Sequence, residues 1–236
     1  MTMNNSAINV SINVPTYNGQ LHFKTATALL THGAQRFDIS FSSISLLAYN
    51  FNHLFAKAYN EMESKGFTHF CLLHADIGPE IGWLARMLSM MKEHRLDCLS
   101  LVSPIKNAEF NTSCALDYPG ELKKLSSSDI SLLPDVFTGS DCKKVFGTDR
   151  LLVNTGCMVI DMRRVNPVKC FFEISDRIVR DKNGKYECQN IPEDWAISRK
   201  FMKHKIRYAA TKSVKLTHHG AWTWDNQMMP RVKGDN

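Results

Sequence analysis

Three apolar segments of this chain break abruptly into polar residues of the kinds that do chemistry. The run Thr68-His69-Phe70-Cys71-Leu72-Leu73 ends in His74-Ala75-Asp76, with Gly78-Pro79 close behind. Such a run has the composition of a buried strand, and the strand delivers Asp76 to its own C-terminal end, where open α/β sheets meet their ligands. A carboxylate in that place suits a metal ion or a phosphorylated substrate. The second break is Ile191-Pro192-Glu193-Asp194-Trp195, which opens a helix with two acids, and the third is His218-His219-Gly220 at the end of a late strand. Carboxylates can hold or move protons, and Asp with His makes a mixed oxygen and nitrogen donor set. Each break also has an ordinary structural explanation. His74 to Asp76 reads equally as a surface turn, Asp194 as a first-turn acid favoured by the helix dipole, and His219 as a packing or solvent-facing histidine.

Placing those groups requires alternating strands and helices. Ile8, Val10, Ile12 and Val14 alternate with smaller or polar residues, which predicts a strand running into the turn-rich Pro15-Thr16-Tyr17-Asn18-Gly19. A helix over about 20–33 follows, then a strand at Phe37, Ile39 and Phe41. Ile44, Leu47, Phe51, Leu54, Ala58 and Met62 recur at helical spacing, with Ser43 as the expected N-cap and Gly66 as the stop. A strand at 68–73, a helix near 80–93 whose core and rim take Met87, Met90 and Met91, and a strand at 97–102 complete the pattern of a mostly parallel, helix-covered sheet. Regularity then fails from 104 to 150, a stretch punctuated by Tyr118-Pro119-Gly120 and Gly139-Ser140 and read as an irregular functional loop or lid. Beyond it come a strand at 151–160 interrupted by Gly156, a helix near 168–180, a turn at Asn183-Gly184, a helix from 191 to about 204, and strands at 206–210 and 213–217. The expected organisation is one domain over 1–224, with a first half at 1–102, an insertion at 103–150, a second half at 151–224 and a polar tail at 225–236.

Composition narrows the class. The chain has 236 residues, 44% hydrophobic and 22% charged, enough to bury a substantial core. No window approaches the roughly 20 apolar residues of a membrane span, and Met1 to Ser6 lacks the basic and apolar parts of a signal peptide, so a cytoplasmic location is expected. Seven cysteines without Cys-x-x-Cys spacing argue against a disulfide framework and a structural zinc site. A net charge of +6 admits anionic partners such as nucleotide sugars or DNA without choosing between them.

Taken in order, the motifs resemble the metal-dependent nucleotide-sugar glycosyltransferases of the GT-A fold, above all the large inverting family that opens with Val/Ile-Pro-Thr-Tyr-Asn. Residues 14–18 read Val-Pro-Thr-Tyr-Asn. His74-Ala75-Asp76 falls where that family carries Asp-x-Asp. Asn154-Thr155-Gly156-Cys157-Met158-Val159-Ile160-Asp161 is similar to its acceptor-side strand, Pro192-Glu193-Asp194-Trp195 to its helix-opening acidic pair, and His218-His219-Gly220-Ala221-Trp222 to its late His-x-Gly segment. The resemblance spans residues 8–222.

What the resemblance implies is an α/β fold of GT-A type, with a Rossmann-like, mostly parallel central sheet flanked by helices and a smaller antiparallel acceptor-side part. The implied activity is metal-dependent transfer of a sugar from a uridine diphosphate donor to a hydroxyl acceptor with inversion. Asp76 and His218, with His219 as the other candidate, would hold Mn²⁺ or Mg²⁺, and an imidazole ligand favours Mn²⁺. Asp194 would act as general base with Glu193 orienting it or the acceptor. Pro15, Thr16, Tyr17, Asn52, His74 and Ala75 would join Asp76 on the donor side, and Asn154, Thr155, Gly156, Trp195 and Trp222 would lie on the acceptor side. The chain departs from the family at His74, where an Asp is usual, which leaves a ribose or metal-water contact open. The acceptor is a glycan, a small molecule or a hydroxymethylated DNA base. DNA would require Lys123, Lys124, Lys143, Lys144, Arg231 and Lys233 to gather on the acceptor side. Two other readings are a sugar nucleotidyltransferase and an inactive nucleotide-sugar-binding relative. The first would need a basic, Gly-rich loop after the opening strand, whereas Val14 to Gln20 holds a single Gly and no basic residue.

Overall fold

Strand and helix alternate through the first hundred residues of the computed structural model, which describes residues 7–106, 111–119, 121–181 and 183–220, and the backbone of 223–225. The first half comprises β1 (Val10–Thr16), α1 (Phe23–Leu30), β2 (Phe37–Ser43), α2 (Leu47–Asn60), α3 (Met62–Lys65), β3 (His69–Leu73), β4 (Ile77–Pro79), α4 (Trp83–Glu93) and β5 (Cys98–Leu101). Next come β6 (Asn111–Tyr118), β7 (Glu121–Ser126), α5 (Ser127–Ser131), β8 (Val136–Phe137) and α6 (Gly139–Phe146). The remainder is β9 (Leu151–Leu152), β10 (Cys157–Asp161), β11 (Ser175–Arg180), β12 (Tyr186–Ile191), α7 (Glu193–Lys203), β13 (Tyr208–Thr211), β14 (Leu216–His219) and β15 (Thr223–Asp225).

Seven strands form the central sheet in the order β2-β1-β3-β10-β5-β13-β8. β1 is parallel to β2 and β3, and β5 is parallel to β13, while β10 runs antiparallel between β3 and β5 and β8 runs antiparallel at the edge. The sheet is therefore mixed but largely parallel, and flanking helices cover both faces. Alternation along the strands sorts the side chains into two cores. On β3, Phe70 and Leu72 face a cluster with Phe51, Phe55, Ile197 and Phe201 of α2 and α7, while Cys71 and Leu73 face Ala28, Trp83, Leu84 and Met87 of α1 and α4. Met87 and Met91 are core and Met90 lies at the rim, as their helical spacing predicts. Six of the seven cysteines are buried free thiols and Cys188 is exposed. No helix among the described residues is long and apolar enough to cross a membrane.

Four sequence expectations are corrected. The 104–150 stretch is not irregular: β6 and β7 form an antiparallel hairpin, and α5 and α6 follow, each closed by a capping box, Ser126 with Asp129 and Thr138 with Asp141. Its elements are short, and β6 buries four residues in a row, Cys114 to Asp117, so no periodicity stands out. Ser43 is not the N-cap of α2, because it is the last residue of β2, paired with Thr16; Leu46 takes the cap position. The helix expected near 168–180 is absent. Ser175–Arg180 instead pairs with Tyr186–Ile191 as a hairpin, whose turn is held by Asp181 Oδ1 accepting from the Asn183 and Lys185 amides, with Gly184 at φ +79°. Finally, 151–160 is two strands in different sheets, separated by Asn154 to Gly156.

The segment that matters most for the site is β4, which pairs with β14 and lies against α1. A Cβ on Gly78 would fall 2.6 Å from Lys24 Cβ and 3.1 Å from Thr217 Oγ1, so only glycine lets α1, β4 and β14 approach this closely. Gly78→Ala is expected to destabilise the fold by about 1–3 kcal/mol through overpacking, read as a lowered midpoint in denaturant titration; an unchanged midpoint would show that α1 yields freely.

Candidate functional site

β3 ends at Leu73 in the middle of the sheet, so the next residues emerge at the C-terminal edge of the parallel strands. The His74 amide donates to Gly156 O (2.9 Å) and the Ile77 amide to His74 O (3.1 Å), a turn that throws Ala75 and Asp76 outward before β4 begins. The sequence pair Gly78-Pro79 thus belongs to a strand rather than a turn. β4 pairs antiparallel with β14, opposing Ile77 to His218, and the His219 amide donates to Asp76 O at 2.8 Å. That pairing carries His218 to Asp76, 142 positions earlier in the chain (218 − 76). His218 Nε2 lies 3.4 Å from Asp76 Oδ2, and Lys106 Nζ lies 2.5 Å from the same oxygen. Burial alone would raise the Asp76 carboxyl, but hydrogen bonds from His218 and Lys106 outweigh it and hold the group well below the usual carboxylate range.

The other ring nitrogen of His218 decides what faces Asp76. Nδ1 is 2.8 Å from Pro104 O, and a carbonyl only accepts, so Nδ1 carries the proton. Nε2 of the same ring is the atom that faces the Asp76 carboxylate, so the two side chains present a nitrogen and an oxygen to one point. His219 is turned elsewhere. Its Nε2 sits 2.7 Å from Thr217 Oγ1 and its ring stacks on His22, with centroids 3.7 Å apart and planes at 14°. Burial, helped by nearby His22, pushes its pKa down to about 4. Among the described residues no three His, Cys, Asp or Glu side chains converge as a metal site, so Asp76 and His218 form a two-donor set that His219 does not complete.

Two cavities meet at this point. The larger, about 660 Å³, lies beyond the ends of β1 and β2 and is lined by Pro15, Thr16, Tyr17, Ala75 and Asp76, with His219 in its wall. Tyr17 is 79% exposed there, so it is not core packing, and its ring is available to a planar ligand. Thr16 is less available than its sequence position implies, since its hydroxyl donates to Ser42 O at 3.2 Å. Asn52 is not at this cavity: its side chain clamps the Phe172 backbone, donating to Phe172 O at 2.7 Å and accepting from Phe172 N at 2.9 Å. Asn50, two residues earlier and so on nearly the opposite face of α2, takes the place expected of Asn52. It donates to Ser42 O and Ile44 O, it is buried, and its Oδ1 has no hydrogen-bond partner among the described residues.

The smaller cavity, about 350 Å³, is lined by Lys106, Asn154, Thr155, Glu193, Asp194 and His218, and His74 borders both spaces. Asn154 is a scaffold, donating to Leu101 O and accepting from Gly156 N at 2.9 Å. Gly156 admits that contact, because a Cβ there would lie 3.2 Å from Asn154 Oδ1 and 3.3 Å from Ser103 Oγ, and Ser103 Oγ is buried without a partner among the described residues. Thr155 joins its neighbours, with Oγ1 3.3 Å from Glu193 Oε1 and 3.5 Å from His74 Nε2. His74 also packs its ring against Phe51 at 5.0 Å, and burial pushes its pKa down to about 4. It stands in the wall shared by the two cavities. Trp195 lines neither cavity; its indole N–H donates to Ser113 O at 3.3 Å and docks α7 on β6. Trp222 lies outside the described residues, as do Arg231 and Lys233. Lys123 pairs with Asp129 at 3.7 Å and Lys144 with Asp141 at 3.1 Å, both at the surface.

Glu193 and Asp194 stand in the first turn of α7. Burial pushes Asp194 up to about 7, and the neighbouring Glu193 adds to the shift; burial raises Glu193 as well. A carboxylate that holds its proton to neutrality can take one from a hydroxyl and release it again at working pH. Sequence reasoning missed Lys106, Asn50 and His22. Lys106 lies just beyond the end of β5, so the strand-end argument that found Asp76 applies to it too.

No protein-family model matches the sequence, and no curated protein does. Among solved structures, the chain is similar to A197 from STIV, with a TM-score of 0.52 at 13% identity, covering 90% of this chain and 86% of that one. This is a likeness of fold: a mixed α/β domain built on a largely parallel sheet. S. aureus TarS 1-349, alone and in complex with UDP-GlcNAc, is more remote, with TM-scores of 0.43 at 11% identity, covering 87% of this chain and 58% and 56% of those chains.

The raised Asp194 yields a stability test. Because the folded state binds this proton more tightly than the unfolded chain, wild-type stability falls as pH rises from the ordinary carboxylate range to about 7 and levels off above it. Asp194→Asn cannot ionise, so its thermal midpoint should gain on wild type across that window and then run parallel. Melting curves that stay parallel throughout would place the Asp194 pKa in the ordinary range.

Proposed function

We propose that this chain is a glycosyltransferase of GT-A type that moves a sugar from a nucleoside diphosphate donor, a uridine diphosphate sugar, to a hydroxyl acceptor with inversion. The observation that carries the reading is the position of the Asp76 and His218 pair at the seam of two cavities, one walled by exposed Tyr17, the other by Asp194. The larger cavity is in the size range of small-molecule sites and takes the nucleotide, with Tyr17 offering a stacking surface. The smaller takes the acceptor, and its volume favours a sugar ring or another small polyol group over a large polymer face.

The donor set fits a divalent cation. Asp76 offers a carboxylate held ionised, and His218, 3.4 Å from it, would offer an imidazole nitrogen in exchange for the hydrogen bond it now makes, a hard-and-borderline pair suited to Mn²⁺. Bound there, the ion would supply Lewis-acid stabilisation of the charge that develops on a leaving diphosphate. The chain's own residues do the rest. Asp194 accepts the proton of the attacking acceptor hydroxyl, and Glu193, hydrogen-bonded by Thr155, holds the acceptor side in place. His74, packed on Phe51, forms the wall shared by the two spaces.

The test is a thermal-shift screen of nucleotide sugars with and without Mn²⁺, on wild type and Asp76→Ala. A stabilisation that needs the ion and disappears in Asp76→Ala is expected. Ion-independent stabilisation, or an equal response in the variant, would remove Asp76 from metal binding. With the donor so identified, Asp194→Asn should bind it within about twofold of wild type while losing transfer by about 10²–10⁴-fold, measured as product formation at saturating donor. Full transfer would reject Asp194 as the base, and donor binding without transfer or hydrolysis in wild type itself would favour a nucleotide-sugar-binding protein without activity.

A further inference from the structure

We infer that Lys106 is a ligand of the donor's diphosphate, a cation supplied by the chain itself at the point where the bond to the sugar breaks; this rests on the larger cavity being the donor site. In the structure its ammonium sits 2.5 Å from Asp76 Oδ2, on the oxygen that also faces His218. The two residues belong to different walls: Asp76 lines the larger cavity and Lys106 the smaller. The ammonium thus spans the seam between nucleotide and acceptor spaces. Both side chains are about one-third exposed, 32% for Lys106 and 39% for Asp76, and a partly solvated pair of this kind is easily exchanged for a stronger anion.

Charge balance supplies the reason for a second cation. Asp76 brings one negative charge to this point, and His218 brings a ring nitrogen rather than a second carboxylate. No third acid or histidine converges on them among the described residues. A divalent ion held by Asp76 would leave one negative charge of a doubly charged diphosphate unmatched, and cleavage of the sugar–phosphate bond would add another to the leaving group. An ammonium within reach offsets that excess where it grows. An ion claiming Asp76 Oδ2 would release Lys106 from its present partner, and the nearest anion is then the diphosphate. Lys106 reaches the seam because β5 ends below it and Pro104 is tied to Thr112 of β6 in an isolated bridge, which directs the chain over the mouth of the smaller cavity.

The experiment is calorimetric titration of wild type, Lys106→Met and Lys106→Arg in saturating Mn²⁺ with UDP, GDP and ADP and, in parallel, with uridine, guanosine and adenosine. For whichever diphosphate binds, Lys106→Met should weaken affinity at least ~10-fold while its nucleoside is unaffected, and Lys106→Arg should stay within ~3-fold of wild type, since a guanidinium also binds phosphate. Unchanged or tighter diphosphate binding by Lys106→Met would overturn the inference and reduce Lys106 to a competitor for Asp76. An equal loss for diphosphate and nucleoside would also overturn it, as a sign of general damage. If wild type binds none of the diphosphates, the donor-site reading itself falls; if wild type binds and Lys106→Met does not differ, only the role of Lys106 falls.

Discussion

The pairing of β4 with β14 is the constraint on which the site depends. It is short, three residues of β4 against Leu216 to His218, and it joins parts of the chain that no local interaction would bring together. Its register decides which of two adjacent histidines faces Asp76, since neighbouring side chains on a strand point to opposite sides. His218 turns toward the carboxylate and His219 turns away to Thr217 and His22. A slip of one residue would exchange them. Gly78 enforces the register's other requirement, the close approach of α1 and β14 to β4, by having no side chain at all.

Around that strand pair the electrostatics divide the acids into two kinds. Asp76 is held ionised by hydrogen bonds from two nitrogen-bearing side chains that outweigh its burial. Asp194 has burial and a neighbouring acid acting together, so it keeps its proton up to about 7. One carboxylate is thereby held charged and the other exchanges a proton near neutrality, and the two line different cavities. This separation of roles follows from environment, because in isolation the two side chains are chemically identical.

Much of the architecture was legible in the sequence. The alternation at β1, the apolar run of β3 and the helical spacing of α2 and α4 are strong because each element packs one face, or both, against a core, and burial imprints its period on the chain. Gly66 ends its helix segment with φ +69°, as its place after the last apolar repeat predicts. The hairpins at β6–β7 and β11–β12 escaped for opposite reasons: β6 is buried on both faces from Cys114 to Asp117 and so does not alternate, while β11 is exposed along most of its length and has no apolar face to read. Ser43 misled for a different reason: Ser favours both strand ends and helix caps, and the register with Thr16 decided between them.

The sequence by itself determined where chemistry is available: Asp76 at a strand end, Glu193 and Asp194 at a helix start, and a histidine pair at a late strand, since these follow from local pattern and the geometry of α/β sheets. Only the tertiary structure decided which of them meet. It turned His218 rather than His219 toward Asp76, put Asn50 rather than Asn52 at the larger cavity, made His74 a buried wall residue, and brought Lys106 onto Asp76. Those choices rest on strand register, burial and contacts between residues far apart in the chain, and such contacts leave no periodicity in the sequence that makes them.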